Sequence, residues 1–368
     1  MKTEDFRRYL HRNPSLAGKE QSVAEFIAGQ LSELGVEFCH LSDNSILARV
    51  EGKRGNLKRC VVLCADISAM PLADLTGVEW ASQQEGVMHA LGNDLNAAVV
   101  YGTLKRLQAE RDFEGTLLVL FQSGEAEEGG GAKSVLAQDP FKEYNIAAII
   151  GEQLSDGLEV GEIGFCPGKF TPSTDRLQFT VCNENQPSAV RNKVADSVVA
   201  ISDLIMRLYT FNSDVCSLSV GSLSYDVNSD VLSPKSRCEA RMVTYDEKLR
   251  SRIKEMIAHM AEEIEYKYDV EVDVKIEYGS PCVENNAQLT YEAMLLADSS
   301  GFTVKDVERC GIAHDFGYYS QLYPSMLYTL GVGRSSGRLC SASFLPDERA
   351  LEVGEEFMYQ LALNILNK

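Results

Sequence analysis

Apolar positions recur at helical spacing through residues 3–35, broken at Asn13-Pro14 and resumed by Val23, Phe26, Ile27 and Leu31, so the chain opens with two helices. Ser45–Val50 and Cys60–Asp66 read as strands. The second is apolar without interruption, as a strand covered on both faces is. Asn96–Leu107 is helical, with Ala97, Val100 and Leu104 on one side. Thr116–Gln122 is another buried strand, followed by the acidic, glycine-rich loop Ser123–Gly131, a helix beginning over 132–136 and a strand at Ile146–Ile150. Strands alternating with helices predict an α/β unit whose mostly parallel sheet is covered by helices. Ligands of such sheets sit beyond the carboxyl ends of the strands, here the loops after Asp66, Gln122 and Ile150.

The period changes near Pro172. Arg176–Cys182 alternates polar and apolar residues, as a half-exposed antiparallel strand does. A helix from Val194 to Tyr209, strands at 215–224 and 236–244, a helix at 246–265 and a strand at 269–278 follow. Strand–helix–strand–strand–helix–strand is the ferredoxin-like split order. Helix-and-strand alternation resumes at Gln288, so this α+β segment is an insertion, and the expected division is 1–172 and 282–368 for one domain and 173–281 for the other.

Composition narrows the partners. The net charge of −19 repels phosphate backbones and anionic lipid, which argues against nucleic acid and membrane surfaces. No apolar run approaches the ~20 residues that cross a bilayer, and the charged start Met1–Phe6 lacks an apolar signal core, so the expected location is cytoplasmic. The ten cysteines lie mostly in apolar stretches and read as buried free thiols in a reducing compartment. The five histidines, His11, His40, His89, His259 and His314, stand too far apart in sequence for a local His-x-x-x-His metal clip.

Several motifs occur in a consistent order: Arg7-Arg-Tyr-Leu-His-Arg-Asn-Pro14, Cys64-Ala-Asp-Ile-Ser-Ala-Met-Pro71, Gly86-Val-Met-His-Ala-Leu-Gly-Asn-Asp94, Phe121-Gln122 with Glu125–Lys133, His314-Asp-Phe-Gly-Tyr318, and Leu330-Gly331. Together they resemble the metal-dependent amidohydrolases that include aminoacylases, carboxypeptidases, hippurate hydrolases and auxin-conjugate hydrolases. The likeness spans nearly the whole chain. It implies a zinc-exopeptidase-like catalytic domain interrupted by a lid and dimerisation domain, and hydrolysis of amide bonds by two zinc or other divalent ions.

Such chemistry needs a metal-activated water, a carboxylate to take its proton and several imidazole, thiolate or carboxylate ligands. Carried over from the resemblance one position at a time, the ligand cysteine falls on Leu91 and the motif histidine on Asn93. The histidine after the next strand falls on Gln153 and the late histidine on Cys340. In the acidic loop, one alignment puts the base at Glu127 and a ligand at Glu128; another puts the base at Glu125 and Ala126 at the ligand position. Either way, at most two of five ligand positions keep donor chemistry. The lid histidine falls near Gln186, the lid asparagine near Asp230 or Asn228, and the lid arginine at Arg241.

Among the survivors, Asp66 keeps the first aspartate of D-x-D while Ser68 replaces the second. His89 reads either as a structural hydrogen-bonding residue or as a ligand. Asp94 and His314 are candidates to line a binding site, although His314 also reads as a polar loop residue. The resulting expectation is a family member that is weakly active or inactive, holding no metal and binding a peptide-like or N-acyl amino acid ligand, with a homodimer formed through the lid. The alternatives are an active hydrolase with a rebuilt metal site, and a scaffold whose lid mediates dimerisation.

Overall fold

The computed structural model describes residues 1–41, 43–124, 130–183, 196–225 and 235–368. The chain is divided into two compact units: Met1–Phe170 with Val283–Arg309 and Asp315–Lys368, and Thr171–Cys282 with Cys310–His314.

The first unit begins with α1 (Thr3–Arg12), α2 (Gln21–Glu33), β1 (Glu37–His40), β2 (Ile46–Glu51) and β3 (Arg59–Asp66). It continues through α3 (Asn93–Glu110), β4 (Thr116–Gln122), α4 (Gly130–Ala137), β5 (Asn145–Ser155), β6 (Glu162–Phe165) and β7 (Gly168–Thr171). The inserted elements are β8 (Ser173–Cys182), α5 (Ser197–Leu208), β9 (Cys216–Tyr225), β10 (Lys235–Thr244), α6 (Glu247–Tyr268) and β11 (Glu271–Tyr278). The chain closes with β12 (Val283–Asn285), α7 (Ala287–Ser299), β13 (Thr303–Asp306), α8 (Gly317–Ser320), β14 (Ser325–Gly331) and α9 (Arg349–Leu366).

Eight strands form the main sheet in the order β1-β2-β4-β3-β5-β14-β6-β13. The central run β4-β3-β5-β14 is parallel, and antiparallel pairs flank it. This is the helix-flanked, mostly parallel sheet that the alternation predicts. Every side chain of β4 is buried, because helices leave neither face wet. The α3 helix is buried nearly all round, with Ala97, Val100 and Leu104 joined by Ala98, Val99 and Tyr101.

Among the boundaries that differ from those expected, three have a clear local reason. β5 runs past Ile150 to Ser155, because β14 continues to supply backbone partners: Gly151 pairs with Leu327 and Gln153 with Thr329. Gln153 is therefore a strand residue, not part of a loop. α3 starts at Asn93, where Gly92 sits in the left-handed region (φ 78°) and leads into a first turn carrying Asp94, favourably placed against the helix dipole. A β-carbon at Gly92 would press on Leu154 and Phe344, so the turn accepts no larger residue without rearrangement. α5 starts at Ser197, where the Asp196 carboxylate accepts from the backbone N–H groups of Val198 and Val199.

In the second unit the four-stranded antiparallel sheet has the order β11-β8-β10-β9. Chain order and sheet order together make it ferredoxin-like. Its core joins Leu177, Phe179 and Val181 of β8 to Ile201 and Leu204 of α5 and Ile253 and Ile257 of α6. Asp175 takes a charged hydrogen bond from Arg250 (2.7 Å) and lies 3.0 Å from Lys254, tying α6 to β8. Asp246 caps α6 by accepting from Leu249 N–H at 3.0 Å. Replacing it with alanine is expected to cost ~1 kcal/mol, read as a lower unfolding midpoint and faster amide exchange in the first turn of α6.

Candidate functional site

The carboxyl ends of the central strands place the candidate residues. Asp66 ends β3 and Gln122 ends β4, directly opposite one another in register. The Gln122 amide donates to Asp66 (2.6 Å) and to Asp315 (3.0 Å), and its carbonyl accepts from the Tyr319 hydroxyl at 2.5 Å. Asp315 also accepts from Ala132 N–H at the start of α4 (2.8 Å). One neutral amide thus gathers two buried carboxylates, whose nearest oxygens lie within 4.8 Å of one another. Burial, reinforced by the surrounding acids, raises the Tyr319 phenol well above its ordinary value, so it stays protonated and acts as a donor.

Beside this clamp, Asn93 donates its amide N–H to the Ser68 carbonyl at 2.9 Å. The Ser68 hydroxyl donates to Glu20 at 2.6 Å, and Gly124 N–H donates to the same Glu20 oxygen at 2.9 Å. Glu20 is fully buried and lies just before α2. Asn93 and Ser68 thus hold hydrogen bonds to protein atoms. Leu91 contributes a half-buried aliphatic side chain in the turn before Gly92. Cys340 is exposed, adopts a left-handed backbone (φ 63°) and anchors its segment by donating its N–H to the Ala90 carbonyl at 2.9 Å.

Arg7 and His11, four residues apart on α1, present one helix face to α3. Arg7 Nε and His11 Nδ1 both reach Asp94 Oδ2, at 3.1 and 3.0 Å. His11 Nε2 lies 3.2 Å from Asp74, and Arg7 and Arg8 bind Glu348 at 3.1 and 2.6 Å, just before α9. Burial pushes the Asp94 carboxyl up, but the Arg7 charge and then His11 outweigh it and hold the group far below the usual range. For His11 burial alone would lower the value; the charge and hydrogen bond of Asp94 more than compensate, and its pKa is raised. His89 is 2% exposed and is pulled down to about 4 by burial, with His11 and Arg7 adding to the effect and Asp94 opposing it. It is neutral at physiological pH.

The remaining candidates fall as follows. Asp94 is fully buried and serves as the anchor for Arg7 and His11. His314 is half-buried and belongs to the second unit, next in sequence to Asp315. Arg241 is exposed on β10, opposite Arg176 of β8. Glu125, Glu127, Glu128 and Gln186, with the alternatives Asp230 and Asn228, lie outside the described residues. Sequence reasoning assigned no role to Glu20, Asp74, Gln122, Asp315, Tyr319 or Glu348. The Arg7–Pro14 motif held the signal for the α1 residues, since Arg7 and His11 share a face with buried Phe6 and Leu10 and therefore need buried partners.

This α/β unit, with a ferredoxin-like insertion and a polar cluster at its strand ends, has the fold of the metal-dependent peptidases and amidohydrolases. Residues 62–364 match the model of peptidase family M20/M25/M40, and the chain belongs to that family. Its fold is similar to that of the YXEP protein of Bacillus subtilis, described as a dinuclear metal-binding peptidase of the M20 family, with TM-score 0.87, 24% identity and coverage of 99% of this chain and 97% of that one. It is also similar to a putative aminohydrolase from methicillin-resistant Staphylococcus aureus, with TM-score 0.92, 23% identity and coverage of 99% and 96%. An aminobenzoyl-glutamate utilization protein from Klebsiella pneumoniae aligns with TM-score 0.69 at 13% identity, covering 98% of this chain and 96% of that one.

Two outcomes test this geometry. Arg7→Met leaves the buried Asp94 charge with a single cationic partner, and is expected to destabilise the first unit by ~3–5 kcal/mol in denaturant unfolding. Glu152, fully enclosed on β5, accepts from the Tyr328 hydroxyl at 2.5 Å, and burial raises its carboxyl from 4.5 to about 8 against the opposing effect of that bond. Between these values the folded state holds a proton that the unfolded state has released. The contribution of Glu152 to stability is therefore complete below pH 4.5 and lost as pH rises to about 8. Glu152→Gln, which keeps an acceptor for Tyr328, is expected to match the wild type near pH 4.5. Near pH 8 it should be the more stable by at least ~1 kcal/mol, in urea midpoints measured across that range.

Proposed function

We propose that this chain is a family member with little or no amide-hydrolase activity, and that it binds a peptide-like or N-acyl amino acid ligand. The observation that carries this reading is the use made of position 93: its carboxamide N–H is spent on the Ser68 carbonyl, beside a leucine at 91 that has no lone pair to give. A dinuclear centre requires nearly all of its ligands, since affinity is built from the full set. The side chains at Leu91, Asn93 and Gln153 do not fit such a centre, and the single thiol of Cys340 does not hold a pair of ions.

The inserted domain is the proposed dimerisation element. Support comes from β9 at the open edge of its sheet, where Leu223 and Tyr225 are exposed. The proposed location is the cytoplasm, in keeping with ten free cysteines. Among the described residues, no helix is long and apolar enough to cross a membrane.

A second reading, a hydrolase with a rebuilt metal site, is favoured by one feature: Gln122 brings Asp66 and Asp315 together. The two readings separate in a single experiment. Purified protein would be analysed for zinc, manganese and cobalt and assayed on N-acetyl and hippuryl amino acids. The first reading expects sub-stoichiometric metal, turnover at background, and binding of these compounds in calorimetry. Stoichiometric metal with robust turnover, both lost in Asp315→Asn, would overturn it in favour of the second.

A further inference from the structure

We propose that the first unit encloses an internal hydration site in which an ordered water bridges His89, Arg7 and Asp94. Four side-chain atoms in this region are sealed from solvent without a hydrogen-bond partner: both ring nitrogens of His89, Nη2 of Arg7 and Oδ1 of Asp94. Buried polar atoms are almost always satisfied, and these four belong to Asp94, to its partner Arg7 and to His89, whose ring feels the charges of both. Arg7 Nε and His11 Nδ1 occupy its Oδ2, leaving Oδ1 open, and the ring of His11 lies 6.5 Å from that of His89.

The chemistry of the open atoms selects the ligand. A neutral imidazole offers one N–H and one lone pair, Arg7 Nη2 offers donors only, and Asp94 Oδ1 only accepts. A metal ion would face the Arg7 guanidinium, and an anion would face the Asp94 carboxylate. A small neutral molecule that both donates and accepts satisfies all three residues, and water is the smallest of these. It would accept from Arg7 and donate to Asp94, with its remaining hydrogen-bonding capacity fixing which nitrogen of His89 carries the proton. This site is separate from the Asn93–Ser68–Glu20 bonds, so it stands whichever functional reading holds.

A high-resolution crystal structure of the wild-type chain tests the assignment. The expected result is an isolated density peak at ~2.7–3.2 Å from a His89 ring nitrogen and from Arg7 Nη2 or Asp94 Oδ1. In solution, a slowly exchanging His89 ring N–H should show a cross-peak to water, absent from the spectrum of His89→Phe. An empty gap in the density, or a His89 ring bonded directly to protein atoms, would overturn the proposal, as would a wild-type ring N–H with no water cross-peak.

Discussion

The first unit depends on one buried negative charge. Asp94 stands in the first turn of α3, shielded from water, and is tolerable there only because α1 delivers Arg7 and His11 to the same oxygen. A buried carboxylate without such partners would protonate or be excluded. The requirement fixes the position of α1 on α3, and through Asp74 and Glu348 it reaches the loop after β3 and the start of α9. Segments far apart in the chain are thus brought into register by charge compensation as well as by apolar packing. The packing itself is extensive, with Phe6 stacked on Tyr101 at 4.1 Å between ring centroids.

Just before this anchor the chain passes through Leu91 and Asn93, beside the carboxyl end of β3. The left-handed Gly92 leads into α3, and the Gln122 amide holds Asp66 and Asp315 together at the strand ends. A carboxamide at 93 and a hydroxyl at 68 bond to protein atoms, joining the β3 end to α2 through Glu20. A neutral amide or hydroxyl satisfies a buried acceptor without a cation.

Much of the fold was legible in the sequence because its signals are local. The continuous apolar runs of β3 and β4, the proline that ends α1, and the change of period near residue 172 each follow from contacts between near neighbours. Element ends were less legible where a partner decides them. β5 was expected to stop at Ile150, but the ladder with β14 carries polar Glu152 and Gln153 onward, and that partner lies far away in the chain.

For the site, the sequence by itself determined which atoms are available: no lone pair at 91, an amide at 93, a thiol at 340. Chemical identity is a property of each residue and needs no fold to be read. Only the tertiary structure decided what those atoms do. It spent Asn93 on the Ser68 carbonyl, sealed Asp94 and His89 from solvent, and drew Gln122, Asp315 and Tyr319 into one cluster. Burial and hydrogen bonding belong to the arrangement of distant segments, and a linear pattern does not carry them.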